Sequence, residues 1–325
     1  MLSAPLFAEP LTVNWYHKQS YLQPVVNAFV ARTGIDVEVT SDYDTFSTDV
    51  IFVSDYKGLL ETRNFGHFRQ LSPEFFSKMS LVVPKRWRDM DGYWLGVALR
   101  VRTAVVNNKL VAAADRPTHL LDLADPKWAG KMTIRTSENV YNRSLLAYMI
   151  YRYGRDAATH WARGIVHNSG SSSEYSGDTW NAKKVATGQF SISFINSYYL
   201  GYLQTRTGRE TEETLRKLRD DLDVVWLDSG EFGLPVNVTG VGISSKIDDN
   251  SEKLEQAERF VEFILSKDGQ SLLTDHVYKY PVRSDVEPSA FLRSFGDFRI
   301  DTYDINSLRY LYDDADRIMR GVGWQ

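Results

Sequence analysis

Apolar and polar residues in the first part of the chain alternate in short blocks with two different periods. Residues 11–16 (LTVNWY) predict a strand, and residues 48–54 (TDVIFVS) form the nearly continuous apolar run of a strand buried on both faces. Residues 21–34 place apolar side chains on one helical face and end at Gly34, a typical C-cap residue. With a second helix at residues 56–66, this order predicts an α/β sheet with crossover helices.

The same two periods continue through the rest of the chain. Strands are predicted at residues 95–111, 131–136, 190–195 and 237–246, and helices at residues 144–154, 209–222 and 248–273. In the last of these helices, Asp249 and Glu252 have the spacing of a capping box. A chain of 325 residues is long enough for two such α/β domains.

Composition excludes several classes of protein. The net charge is −4 and basic residues form no cluster, so nothing indicates a nucleic-acid partner. No apolar run reaches the roughly 18 residues of a membrane span, and no membrane insertion is expected. Cysteine is absent, which rules out disulfides, thiolate zinc sites and thiol catalysis.

Motifs for enzymatic chemistry are missing from the sequence. It contains no G-x-G-x-x-G turn after the first strand, no P-loop, no G-x-S-x-G elbow and no H-x-x-x-H pair. The acidic pairs at residues 42/44, 248/249 and 313/314 lie in polar, turn-like segments, where a solvated surface is the better interpretation. We therefore expect a protein that is not an enzyme.

Tyrosine is the unusual residue, with 18 copies. Tyr141 follows the strand predicted at residues 131–136, and Tyr198 and Tyr199 follow the apolar run at residues 190–195. Any single tyrosine is explained by its preference for the boundary between core and water. Two such loops at one sheet edge, however, bring three phenols together. Phenolates are hard oxygen donors, and a hard trivalent cation such as Fe³⁺ suits them better than common divalent ions.

Two segments carry a resemblance to a known family. Residues 122–142 (DLADPKWAGKMTIRTSENVYN) and 196–201 (NSYYLG) are its most specific parts, and it covers nearly the whole chain from Leu11. The chain resembles the bacterial ferric-ion-binding proteins, the periplasmic substrate-binding components of iron ABC transporters. The resemblance implies a monomer with a two-lobed, type II periplasmic-binding-protein fold, in which crossing hinge strands join two α/β domains. It also implies delivery of Fe³⁺ to an inner-membrane ABC permease.

The same resemblance implies lobe boundaries and a site. The first lobe would comprise residues 1–103 and 236–281, and the second residues 104–235 and 282–325. The iron ligands would be Tyr141, Tyr198 and Tyr199, completed by a carbonate-like synergistic anion. Within the family's R-x-R strand we favour Arg102 over Arg100 as the anion contact, because a guanidinium matches a planar oxyanion bidentately. Thr136 and Ser137 would assist through backbone or hydroxyl groups.

The sequence departs from the family in the first lobe. Many members carry a His-Tyr ligand pair in the first strand-to-helix loop, but an ungapped alignment puts Lys18 and Gln19 there. His17 lies near this place out of register, and Tyr16 matches a subgroup that lacks the pair. Asp55 is either a further first-lobe contributor or a surface cap of the next helix. The connection at residues 40–48 is also shorter than usual.

The first residues and the departures leave two interpretations open. Residues 3–8 (SAPLFA) resemble the end of a secretory signal that is trimmed or incomplete, which fits the periplasm, but they are equally explained as an uninformative start. The shortened first lobe leaves an alternative function: the same fold binding a polyamine, a thiamine-like molecule or a sugar phosphate.

Overall fold

The computed structural model describes residues 9–15, 17–40, 45–169, 177–204, 210–228 and 230–324. Its strands are β1 (Leu11–Asn14), β2 (Val37–Thr40), β3 (Val50–Val53), β4 (Leu95–Asn107), β5 (Met132–Thr133), β6 (Ile192–Asn196), β7 (Leu222–Val225), β8 (Val236–Ile243) and β9 (Tyr280–Pro281). Its α-helices are α1 (Gln19–Thr33), α2 (Tyr56–Asn64), α3 (Pro73–Ser80), α4 (Val140–Asn168), α5 (Asp178–Ala186), α6 (Tyr198–Gln204), α7 (Glu212–Asp220), α8 (Glu252–Leu265), α9 (Lys267–Val277), α10 (Ala290–Arg293) and α11 (Tyr312–Val322). Within these ranges no helix is both long and apolar enough to cross a bilayer.

One long strand organises the sheet. The strand order is β2-β1-β3-β8-β4-β6-β5, and β7 and β9 also pair with β4. The first part of β4, residues 95–101, pairs with β8, whereas residues 102–107 pair with β6 and β7. Every residue of β4 is buried. We call the part built on β1, β2, β3 and β8 the first lobe, and the part built on β5, β6 and β7 the second lobe.

The predicted α/β class is confirmed, and Gly34 caps α1 in the left-handed region (φ +70°). Several predicted bounds are wrong. The strand predicted at residues 131–136 has only two residues, β5. The helix predicted at residues 144–154 begins earlier, at Val140, but its predicted end is confirmed by the break in α4 at Gly154, where φ is +82°. The last predicted helix is two helices, because Ser266 ends α8 and caps α9.

The predicted capping box at the start of α8 is also wrong. Ser251 caps this helix by accepting a hydrogen bond from the backbone N–H of Leu254 at 3.2 Å. Asp249 instead forms an ion pair with Arg69. A serine hydroxyl and an aspartate carboxylate cap helices equally well, so local sequence could not separate the two positions.

Asp55 connects helix α2 with β4, α4 and β8. Its carboxylate caps α2 by accepting from the backbone N–H of Lys57 at 2.8 Å, as one of the two interpretations expected. It is not a surface residue, however, because only 1% of it is exposed. Arg100 of β4, Ser144 of α4 and Asn237 of β8 each donate a hydrogen bond to it, at 2.9, 2.9 and 2.8 Å. A buried ion pair therefore sits where these elements meet.

Removing this carboxylate should destabilise the protein strongly. In Asp55→Asn the buried guanidinium of Arg100 loses its charged partner, so we expect the free energy of unfolding to fall by about 3–5 kcal/mol. Asp268→Asn is the control, because its pair with Arg32 is exposed and should contribute less than about 1 kcal/mol. Urea unfolding followed by circular dichroism measures both, and equal midpoints would contradict the structural role of Asp55.

Candidate metal-binding site

The three predicted tyrosines meet in the structure. Tyr141 lies in the first turn of α4, where the side chain of Asn139 caps the helix by accepting from the backbone N–H of Tyr141. Tyr198 and Tyr199 open α6, two residues after β6 ends at Asn196. The hydroxyl oxygens of Tyr141 and Tyr198 are 3.2 Å apart, and the ring centroids of Tyr198 and Tyr199 are 4.3 Å apart.

A helix start explains how two consecutive tyrosines share one site. In a strand their side chains would point to opposite faces, but neighbours in a helix are only about 100° apart. Because the strand ends at Asn196, Tyr198 and Tyr199 stack on each other instead of separating.

Burial keeps the phenols of Tyr198 and Tyr199 protonated in the absence of a cation. It raises the pKa of Tyr198 well above the ordinary value, and the adjacent Tyr141 and Tyr199 add to this. Burial also raises the pKa of Tyr199, again reinforced by Tyr141. A cation that binds these oxygens as phenolates must therefore displace their protons.

Positive side chains surround the phenols. The guanidinium carbon of Arg100 lies 4.4 Å from the ring centroid of Tyr141, and the ammonium nitrogen of Lys279 lies 5.0 Å from that of Tyr198. The guanidinium carbon of Arg135 is 5.6 Å from the ring centroid of Tyr141, and Arg135 forms an ion pair with Asp178 at 3.8 Å. Arg100 and Arg135 lower the pKa values of Tyr198 and Tyr199 respectively, but this effect is smaller than the opposing effect of burial.

Arg102, the expected anion contact, is buried and its guanidinium already donates hydrogen bonds within the protein. It donates to the side-chain oxygen of Asn142 at 2.9 Å and to the carbonyl of Phe194 at 2.7 Å. Only 6% of Arg102 is exposed, and burial lowers its pKa to about 10. Its role toward an anion stays a prediction, as does that of Arg100, which pairs with Asp55.

Thr136 and Ser137 lie half-buried in the loop before α4. The carbonyl of Thr136 accepts from the side chain of Asn142 at 3.2 Å, and that of Ser137 accepts from Arg143 at 3.1 Å. These bonds hold the loop on the first turn of the helix that bears Tyr141. The anion contacts expected of both residues stay predictions.

Of the first-lobe candidates, His17 approaches the tyrosines. Its ring centroid is 5.5 Å from that of Tyr198 and 5.2 Å from that of Tyr202. Burial, followed by Lys279, lowers the pKa of His17 well below the ordinary value, so its imidazole is neutral at physiological pH. Tyr16 and residues 41–44 of the short connection lie outside the described residues.

Sequence reasoning missed Arg135, Lys279 and Tyr202. Arg135 stands inside the segment that carries the resemblance, six residues before Tyr141, and a basic residue at that loop was a usable signal. Lys279, in the segment YKYP, carries no such signal, because only the fold brings β9 beside α6. Tyr202 lies one turn after Tyr198, and the helical spacing would have revealed it.

Other residue types offer no competing centre. In the part of the chain that the structure describes, no group of three or more histidine, aspartate or glutamate residues is arranged to hold a metal ion. The tyrosine cluster is therefore the candidate cation site.

The fold defines the class of two-lobed solute-binding proteins, and the clustered phenols of Tyr141, Tyr198 and Tyr199 are hard oxygen donors. Residues 39–294 match the model of a family described as bacterial extracellular solute-binding protein, and the chain belongs to this family. It is 32% identical to iron uptake protein A2 of Synechocystis over 85% of this chain and 77% of that protein. It is 29% identical to iron uptake protein A1 of the same organism over 98% and 88%. A solved Trichodesmium protein (IdiA, FutA) in complex with iron and citrate is 27% identical, with a TM-score of 0.83 over 97% of this chain and 99% of the other.

Because its pKa is raised, Tyr198 should not ionise in the folded protein at the pH at which exposed tyrosines do. In the folded, metal-free protein Tyr198 keeps its proton above pH 10, whereas in the unfolded chain it ionises near its ordinary pKa of about 10. Tyr198→Phe should therefore leave the tyrosinate absorbance of the folded protein unchanged in the pH range in which an ordinary tyrosine ionises. In urea, where the chain is unfolded and all its tyrosines ionise, the variant should show the absorbance of one tyrosinate fewer than wild type. A folded variant that loses absorbance in this range would show that Tyr198 is not shielded.

Proposed function

We propose that this protein binds Fe³⁺ in the cleft between its lobes, in the periplasm, and delivers it to an ABC permease of the inner membrane. The observation that carries the proposal is the convergence of Tyr141, Tyr198 and Tyr199, with two hydroxyl oxygens 3.2 Å apart. Membership of a solute-binding family and likeness to iron uptake proteins support the class of cargo.

Charge favours a trivalent ion together with an anion. Three phenolates carry −3 and match Fe³⁺. The basic groups of Arg100, Arg135 and Lys279 lie around the site, and the first two are paired with Asp55 and Asp178. We assign an oxyanion to a place beside these basic groups, with Arg135 as its bidentate partner because its guanidinium carbon lies 5.6 Å from the ring of Tyr141. Arg100 and Arg102 add positive charge from the interior, and a carbonate-like species and citrate both fit this chemistry.

Release then requires opening of the cleft. We infer that the lobes comprise residues 1–103 with 236–281 and residues 104–235 with 282–325, so that β4 crosses the boundary. The pairing of its two halves with different strands supports this division. Hinge motion of a monomer about such crossing strands exposes the metal.

Ferric loading should colour the protein. Phenolate-to-iron charge transfer gives a visible absorption band when ferric citrate is added to the metal-free protein. Tyr198→Phe and Tyr199→Phe should each weaken binding at least about tenfold and shift or abolish the band, because each removes a phenolate from the metal. Equilibrium titration with ferric citrate and absorption spectra measure both effects.

The matched control is Tyr310→Phe, which changes a largely exposed tyrosine away from the cluster. It should leave the band and the affinity unchanged. A Tyr198→Phe protein with the wild-type band would refute the site. Calorimetry that shows tight binding of a polyamine, a thiamine-like molecule or a sugar phosphate, and none of iron, would establish the alternative cargo.

Iron should be released as the pH falls. Each phenolate that leaves the metal takes up a proton, and burial strengthens this because it raises the phenol pKa in the metal-free state. Iron retention against a fixed citrate concentration should therefore decrease with acidity. The pH slope should be shallower by one proton in Tyr199→Phe than in wild type. Identical slopes would show that Tyr199 does not bind as a phenolate.

A further inference from the structure

Helix α6, which carries Tyr198 and Tyr199, rests on a tyrosine from the connection between α9 and β9. The ring of Tyr278 fills the space beside Gly201, where a side chain would otherwise stand. A Cβ atom at position 201 would lie 2.7 Å from Cδ1 of Tyr278, and closer still to Cγ and Cδ2. These are the ring atoms nearest to Cβ of Tyr278, and rotation of the ring about the Cβ–Cγ bond leaves Cγ in place. Only a glycine at position 201 allows α6 to pack this closely against the ring of Tyr278.

The backbone of Tyr278 is held in a conformation that is unfavourable for its residue type. It caps α9 in the left-handed region with φ +57°, where glycine is the usual residue. A tyrosine at such a position indicates that its side chain is needed there. The ring contacts Phe291 on one side, at a centroid distance of 5.3 Å, and Tyr202 of α6 on the other, at 6.0 Å.

Further contacts fix the same helix from the first lobe. The rings of Tyr202 and Tyr21 of α1 stack at 4.2 Å with an interplanar angle of 4°. Lys279, the residue after Tyr278, places its ammonium over the ring of Tyr198 while donating to the hydroxyl of Thr239 at 2.9 Å. Residues 278 and 279 thus touch α6 at two points one turn apart.

We propose that Tyr278 and Gly201 form a seat that positions Tyr198 and Tyr199 for the metal, so that Tyr278 is a positioning residue of the site. The inference rests on the proposed function for its cargo, but the seat itself is present without a metal. Depth of α6 on the seat sets the distance from its two phenols to Tyr141, which lies on a different helix.

The test compares four variants with wild type. Gly201→Ala should displace α6, shift the iron charge-transfer band and speed iron release to a chelator by about 10- to 100-fold, the range typical of groups that orient metal ligands. Tyr278→Phe keeps the ring and should behave as wild type. Gly201→Ala combined with Tyr278→Ala removes the clash and should regain most of the wild-type band position. Gly321→Ala, whose Cβ meets no atom within 4 Å, is the matched control for a glycine-to-alanine change.

A metal-free readout separates this proposal from the function. In the metal-free protein, Tyr278→Ala should speed hydrogen exchange of the amides of α6 relative to those of α5, whatever the cargo. Unchanged exchange together with an unchanged band in Gly201→Ala would overturn the seat. Equal impairment of Gly201→Ala and the double variant would also overturn it, because the ring would then not be the cause. Absence of the band in wild type would refute the ferric cargo, and α6 exchange would still decide the seat.

Discussion

Burying several phenols side by side is the constraint on which this molecule depends. Each phenol is stable there only while it is neutral, because a buried negative charge without a partner is costly. Tyr141 and Tyr198 satisfy each other by one hydrogen bond between their hydroxyls, and the stacked Tyr199 completes the group. The same burial makes the cluster demand a compensating cation once protons are lost. The metal-free state is thus stable and still prepared for a highly charged ion.

The strand that joins the lobes also supplies charge to this cluster. Arg100 lies on β4 and contacts the ring of Tyr141 on one side and the carboxylate of Asp55 on the other. Asp55 in turn caps α2 and accepts a hydrogen bond from Ser144 of α4. Hinge, helix cap and site therefore share one buried ion pair. Movement of one lobe against the other must change the surroundings of Tyr141.

Sequence predicted the elements whose signal is local and missed the features that depend on packing. The β-α-β-β-α start, the cap at Gly34 and the grouping of Tyr141 with Tyr198 follow from periodicity and from where strands end. Strand β5 could not be bounded, because the residues that follow Thr133 keep a strand-like pattern while the chain already turns toward α4. Lys279 is an ordinary lysine in the sequence, and its 1% exposure arises only when β9 pairs with β4.

The buried Lys279 lies beside the buried Tyr198, so the protonation state of each residue affects the other. Burial, followed by the repulsion from Arg100, lowers the pKa of Lys279 well below the ordinary value. A phenolate at Tyr198 would offset that repulsion, so proton loss from the tyrosine and charge on the lysine favour each other. The coupling acts between two segments that are far apart in the sequence, since Lys279 follows α9 and Tyr198 opens α6. Loss of the Tyr198 proton and protonation of Lys279 are therefore mutually stabilising, which links the segment after α9 to the start of α6 by charge as well as by packing.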